Sequence, residues 1–166
     1  MPSPAFRLPI VYTTFFLFVE PFSALIGAYY ANFRPLDYLQ LTHEASAPSY
    51  TSTIPLSTSV VLSQLANLYL LFAINEALVL RSTSDLRVWK TLLFGLLLAD
   101  FGHLYSVKGL GSQIYWSFWT WNKMDWGNVG FVYAGATMRI LFLAGVGLDT
   151  PASRQAAARV AARKAK

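Results

Sequence analysis

Four long stretches of this sequence carry almost no charge, and they constrain the fold more than any other feature in it. A helix needs roughly 20 mostly apolar residues to cross the hydrocarbon core of a bilayer. Residues 8–31, 57–80, 89–107 and 126–148 meet that length or come close to it. Charged residues make up only 13% of the chain and hydrophobic residues 55%, whereas a soluble domain carries about 25% charged residues. A small soluble domain leaves much of its surface in water and needs a polar shell. Lipid-facing helices do not. The expectation is an all-α membrane protein, a four-transmembrane-helix bundle over residues 1–148 with a basic cytosolic tail at 149–166. Two segments have a second reading. The third is the shortest and also fits a buried helix of a soluble protein. The first, with Arg7 ahead of it and small residues from Ala24 to Ala28, also fits a cleaved signal peptide, but its length and the Glu20-Pro21 interruption favour a retained helix. Pro21 is expected to kink it, because the ring removes a helical hydrogen bond.

Orientation follows from the basic residues. Arg7, the loop residues Arg81, Arg87 and Lys90, and five residues of the tail fall on one side, nine in all, against Arg34, Lys108 and Lys123 on the other. The positive-inside rule then places both termini in the cytosol. Tyr29, Tyr30, Trp89, Tyr105 and Trp126 stand where an interfacial aromatic belt belongs. The first loop, about Asn32 to Leu56, is rich in Pro, Ser and Thr and reads as irregular. The third, SVKGLGSQIYWSFWTWNKMDW, holds four tryptophans within about eleven residues. It is too aromatic for a solvated linker and is expected to fold back onto the membrane surface or over the helix ends on the lumenal side. Asp149-Thr150-Pro151 resembles a helix start, and the Ala-rich basic tail beyond it suits the surface of an anionic membrane.

Composition removes several function classes. The chain has no cysteine, so disulfides, thiolate metal sites and a cysteine nucleophile are excluded. His43 and His103 are too few for a histidine-rich metal site, and no Gly-rich phosphate loop or nucleophile elbow occurs, so neither metal nor cofactor is expected. The net charge of +5 is concentrated in the tail, which argues against a nucleic-acid partner.

The chemistry-bearing residues lie inside the apolar segments. Glu20, Glu76, Asp100, His103 and Arg139 are each costly in a bilayer and normally face the bundle interior with a partner. At about 1.5 Å per helical residue, Glu20 and Arg139 fall at similar depth near the midplane. They are expected to meet, either as an ion pair that fixes packing or as an acid tuned by a cation. Asp100 and His103, three apart, share a helix face and read as a proton relay or as a polar pair near the interface. Glu76 reads as structural, near the cytosolic end, where it either meets Arg81 or reaches water. Gln64, Asn67, Leu71 and Asn75 form one stripe on the second segment. Gln64 and Asn67, with Trp121 and Trp126 as an aromatic cap, are the expected substrate-binding residues. Small residues at Gly127, Gly130, Ala134, Gly135, Gly145 and Gly147 favour close packing of the fourth segment.

The stretch WNKMDWGNVGFVYAGATMRILFLAGVG, with the Glu-Pro pair of the first segment and the Asp-x-x-His pair of the third, resembles a family of small fungal four-helix membrane proteins over nearly the whole chain. That resemblance implies a compact bundle and, for some members, a place in secondary-metabolite gene clusters. The plan also resembles the sterol isomerase and sigma-2 receptor group, whose helices enclose a lipophilic ligand between acidic residues. Those acids do not map individually onto Glu20, Glu76 or Asp100. A fainter likeness is to fungal membrane-bound terpene cyclases, which open an epoxide with buried acids and have more helices than this chain. Arg163-Lys164-Ala165-Lys166 resembles a cytosolic dibasic retrieval signal of the endoplasmic reticulum, with arginine in place of the usual first lysine.

These readings combine into one expectation. The chain is an endoplasmic-reticulum membrane enzyme performing cofactor-independent acid/base chemistry on a lipophilic polyketide or terpenoid, by cyclisation, isomerisation or epoxide opening. Asp100 and Glu20 serve as acid and base, His103 relays or orients, and Arg139 stabilises charge. The expected partners are a lipophilic small molecule and membrane lipid, with a second copy or pathway enzymes as protein partners. The alternative is a non-catalytic lipid or sterol binder or a scaffold.

Overall fold

A computed structural model describes residues 8–149, which are built from helices without a β-strand. Five helices carry the fold. α1 is Ile10–Phe33, α2 is Pro35–His43, α3 is Leu56–Ser82, α4 is Leu86–Ser106 and α5 runs over 123–143. Short 3-10 turns at Val107–Leu110, Ser112–Tyr115 and Phe118–Thr120 join α4 to α5. The expected tail helix, its Asp149-Thr150-Pro151 start, the retrieval signal and Arg7 fall partly or wholly outside the described residues.

The helix ends have local causes. Asp85 caps α4 by accepting from the Arg87 N–H at 2.8 Å, and Asn122 closes a capping box with Asp125 at the start of α5. Gly145 ends α5. Its φ is 82°, and it sits in a Schellman turn in which the Val146 N–H donates to Leu141 and the Gly145 N–H to Phe142. This is why the helix stops at Leu143 rather than running to 148 as the apolar pattern suggests. Lys90 adds a cation at that end by donating to the Leu143 carbonyl. α2 corrects the expectation of an irregular first loop: Pro35 occupies its first turn with Asp37 behind it, a start signal present in the sequence.

Pro21 is accommodated in a specific way. The preceding residues, Phe15–Val19, form a wide π-turn inside α1, one of the usual answers to a break in the helical ladder. Pro21 has no N–H to give to Leu17, four residues back. The Leu17 carbonyl instead receives Arg81 Nη2 at 3.1 Å. Arg81 also lies over the Phe18 ring, 4.7 Å from its centroid. It therefore serves α1, and Glu76 neither meets Arg81 nor reaches water, the two outcomes the sequence left open, but pairs with Arg139.

α1 packs along α3, and α4 along α5. Gly27 permits the first contact, because the Tyr69 ring lies where a Cβ would stand 3.2 Å away. One apolar cluster, with Tyr12, Phe16, Leu80, Trp89, Leu93 and Phe142 among its members, fills one end of the bundle. A second, built on Ala31, Tyr38, Leu62 and Ala66, fills the other. Two helices, α1 with 24 residues and α3 with 27, are long and apolar enough to cross a membrane. α4 and the stretch 123–143 are of similar length and carry more charge. Large apolar side chains such as Phe22, Leu68, Phe94 and Phe101 point outward, while four charged side chains are buried at the centre. The usual polarity of a small domain is inverted.

Candidate functional site

Arg139 is completely buried and donates to three carboxylates from three other helices. Its Nη1 reaches Asp100 Oδ2 on α4 at 2.8 Å. Its Nη2 reaches Glu20 Oε1 on α1 at 2.6 Å and Glu76 Oε1 on α3 at 2.9 Å. The planar fork of a guanidinium suits this task, since it offers donors in fixed directions that an ammonium cannot match. The rings of Phe16 and Phe72 lie over it, at 5.8 and 5.5 Å from their centroids.

Local backbone features make room for the cluster. A Cβ on Gly135 would stand 2.7 Å from Arg139 Nη1 and 3.0 Å from Glu20 Oε1, so only glycine lets the guanidinium pass along α5. Glu76 lies in a π-turn, Asn75–Val79, and Glu20 directly follows the π-turn of α1. The two wide turns pack on each other, and that contact brings both carboxylates to one cation.

The cluster is not saturated. Among the described residues, Glu20 Oε2, Glu76 Oε2 and Arg139 Nε are buried without a hydrogen-bond partner. One cation faces three acids, and two unbalanced negative charges in an apolar interior are strongly unfavourable. Two bound protons would balance the set. With the free carboxylate oxygens available, the cluster is a place where protons can be held and exchanged.

Above the cluster, towards the α4–α5 connection, lies a cavity of about 230 Å³ between α2, α3, α4 and the start of α5. Tyr38, Leu65, Tyr69, His103, Ser106 and Asn128 line it. The Tyr38 and Tyr69 hydroxyls bond each other at 3.1 Å, and burial, then the neighbouring Tyr69, hold the Tyr38 phenol well above its ordinary range. His103 is on the wall. Its ring meets the Asn128 backbone, while Nε2 is buried without a partner among the described residues.

The sequence candidates therefore divide. Glu20 and Arg139 meet as expected, and Asp100 and Glu76 join them. Position along its helix alone puts Glu76 near one end of the bundle, yet it is fully buried and bonded to Arg139. The signal that would have placed it is the demand of a buried arginine for more than one carboxylate. Asp100 and His103 share a face of α4 one turn apart, but Asp100 is tied to Arg139 and forms no bond to the imidazole. Gln64 and Asn67 face outward and do not line the cavity. Trp121 and Trp126 stack edge to face at 5.1 Å over Gly130, also away from it. The aromatic connection does fold back on the helix ends: Tyr115 donates to the Leu104 carbonyl, Trp121 to that of Ile114, and Asn122 to that of Leu41.

The fold and site define a class: an all-helical protein with an arginine–carboxylate centre inside and an apolar exterior. The chain belongs to the family described as a domain of unknown function (DUF7704), which matches residues 5–149. No curated protein and no solved structure matches it.

Proposed function

We propose that this chain is a four-span membrane protein of the endoplasmic reticulum with cytosolic termini, in which α1, α3, α4 and α5 are the spans. It performs acid/base chemistry on a lipophilic molecule of the polyketide or terpenoid kind. The observation that carries this reading is His103, a residue of the cavity wall with a buried Nε2 that has no partner among the described residues, one helical turn from Asp100 and the three-acid cluster. An imidazole at such a place takes or returns a proton at a substrate atom. The cluster behind it is the proton store, and Arg139 keeps its carboxylates in place. At about 230 Å³, the cavity is smaller than the usual ligand pocket of roughly 300–1,000 Å³. It takes the reacting end of a lipophilic molecule and leaves the rest among the helices. Isomerisation, cyclisation and epoxide opening all need such a proton at one end of an apolar substrate.

The test compares lipid extracts of cells carrying the intact chain, His103→Ala, Asp100→Asn or no chain. A compound that changes with the intact chain and not with His103→Ala supports the assignment. Extracts that are identical in all four would sink the enzymatic reading. One observation favours a second reading, a non-catalytic lipid binder or scaffold: all three acids are held by Arg139, and none lines the cavity. A lipid that copurifies unchanged with both the intact chain and His103→Ala would select it.

A further inference from the structure

The site leaves two polar side chains unused. Gln64 and Asn67 project from the outer face of α3, and neither amide has a hydrogen-bond partner among the described residues. They sit within a stripe of exposed positions, Val60, Gln64, Asn67, Leu71, Ile74 and Leu78. The steps alternate between four and three residues, the spacing of a helix–helix seam. Further along the bundle, α1 shows Phe18, Phe22 and Leu25 outward, and α4 shows Phe94, Leu98 and Phe101.

In a four-span protein, the reading on which this inference rests, that stripe faces hydrocarbon near mid-span. Amides there have no water to bond and need a partner. A carboxamide both donates and accepts, so it is complementary to another of its own kind. Two copies of one membrane protein share a topology, and a two-fold axis along the membrane normal brings identical helices together in parallel, with identical residues opposed. Apolar side chains on both sides of the amide pair then pack as knobs, and the amides set the register.

We propose that α3 is the contact helix of a parallel homodimer in the membrane, in which Gln64 and Asn67 pair with the same residues of a second copy. Val60, Leu71, Ile74 and Leu78 pack around them.

The natural absence of cysteine makes the test direct. Val60→Cys and Leu71→Cys, oxidised in native membranes, are expected to give a disulfide-linked species of twice the chain mass. Phe22→Cys on α1 and Phe94→Cys on α4 are expected to give little. Adding Gln64→Leu and Asn67→Leu to the Leu71→Cys chain should reduce cross-linking several-fold, as loss of two interhelical amide contacts requires. Equal cross-linking at all four positions, no effect of the leucine pair, or a product of another mass would overturn the proposal. A product of another mass would point to a different protein. Photobleaching of the wild-type chain in dilute lipid vesicles needs no α3 substitution: two steps support the dimer and single steps overturn it. Alkaline carbonate extraction separates the two levels of failure. Release into the supernatant would remove the four-span reading itself, whereas a retained but monomeric chain removes the dimer alone.

Discussion

Arg139 satisfies three carboxylates at once, and the four side chains stand or fall together. Removing one partner of a buried charge set leaves the rest uncompensated and costs about 3–5 kcal/mol. Arg139→Gln is therefore expected to lower the unfolding midpoint in detergent strongly, followed by tryptophan fluorescence. Arg139→Lys should recover little, because an ammonium cannot span the fork from Asp100 on one side to Glu20 and Glu76 on the other. Neutralising the acids as well, with Glu20→Gln and Glu76→Gln in the Arg139→Gln chain, should restore much of the loss. A triple variant as unstable as Arg139→Gln alone would show that charge balance is not the cause. Gly135→Ala tests the space around the fork. Its Cβ would fall 2.7 Å from Nη1, and the shift this forces should cost about 1–3 kcal/mol. The presence of a buried Glu20–Arg139 contact was legible from depth along the helices. The recruitment of Glu76 was not, since it depends on two π-turns meeting, and the turn at Asn75–Val79 has no sequence signature of its own.

At the level of the helix, each interruption has a compensating partner. Pro21 removes a donor from Leu17, and Arg81 replaces it from the end of α3. Arg81→Ala is expected to cost about 1 kcal/mol, the net worth of one such bond. In a Pro21→Ala background, where the backbone N–H returns, the same substitution should cost less. Equal costs in the two backgrounds, measured as a double-mutant cycle of unfolding free energies, would disconnect Arg81 from the proline. Asn122→Ala should destabilise by about 1 kcal/mol through loss of the α5 cap. The gap in the helical ladder was readable from Pro21. Its partner was not, because the residues are 64 apart in sequence and only tertiary packing joins them.

At the level of the whole molecule, charge lies inside and apolar surface outside. The four-span reading makes a topological statement that can be checked. Arg87→Cys, between α3 and the body of α4, is expected to react with a membrane-impermeant maleimide from the cytosolic side. Lys108→Cys, in the turn after α4, should react only once the membrane is opened. Labelling of both from one side would remove α4 as a span. Asp85, which caps α4, and the 3-10 turn at Val107–Leu110 place these two sites at opposite ends of one continuous helix.

The helical character of the chain was set locally, by apolar runs between turn residues and by caps such as Asp85, Asn122 and Pro35. Periodicity and end signals act within a few residues, so sequence alone determines them. It also determined that ionisable groups would be forced inward, because apolar segments leave such groups nowhere else to go. Which of them meet was decided by tertiary structure. Asp100 turned to Arg139 rather than to His103, and Gln64 and Asn67 turned outward rather than into the cavity. A helix pattern specifies which residues share a face. The rotation of that face towards one neighbour or another comes from the packing of all the long helices together, and here a buried guanidinium with several donors drew in every acid within its reach.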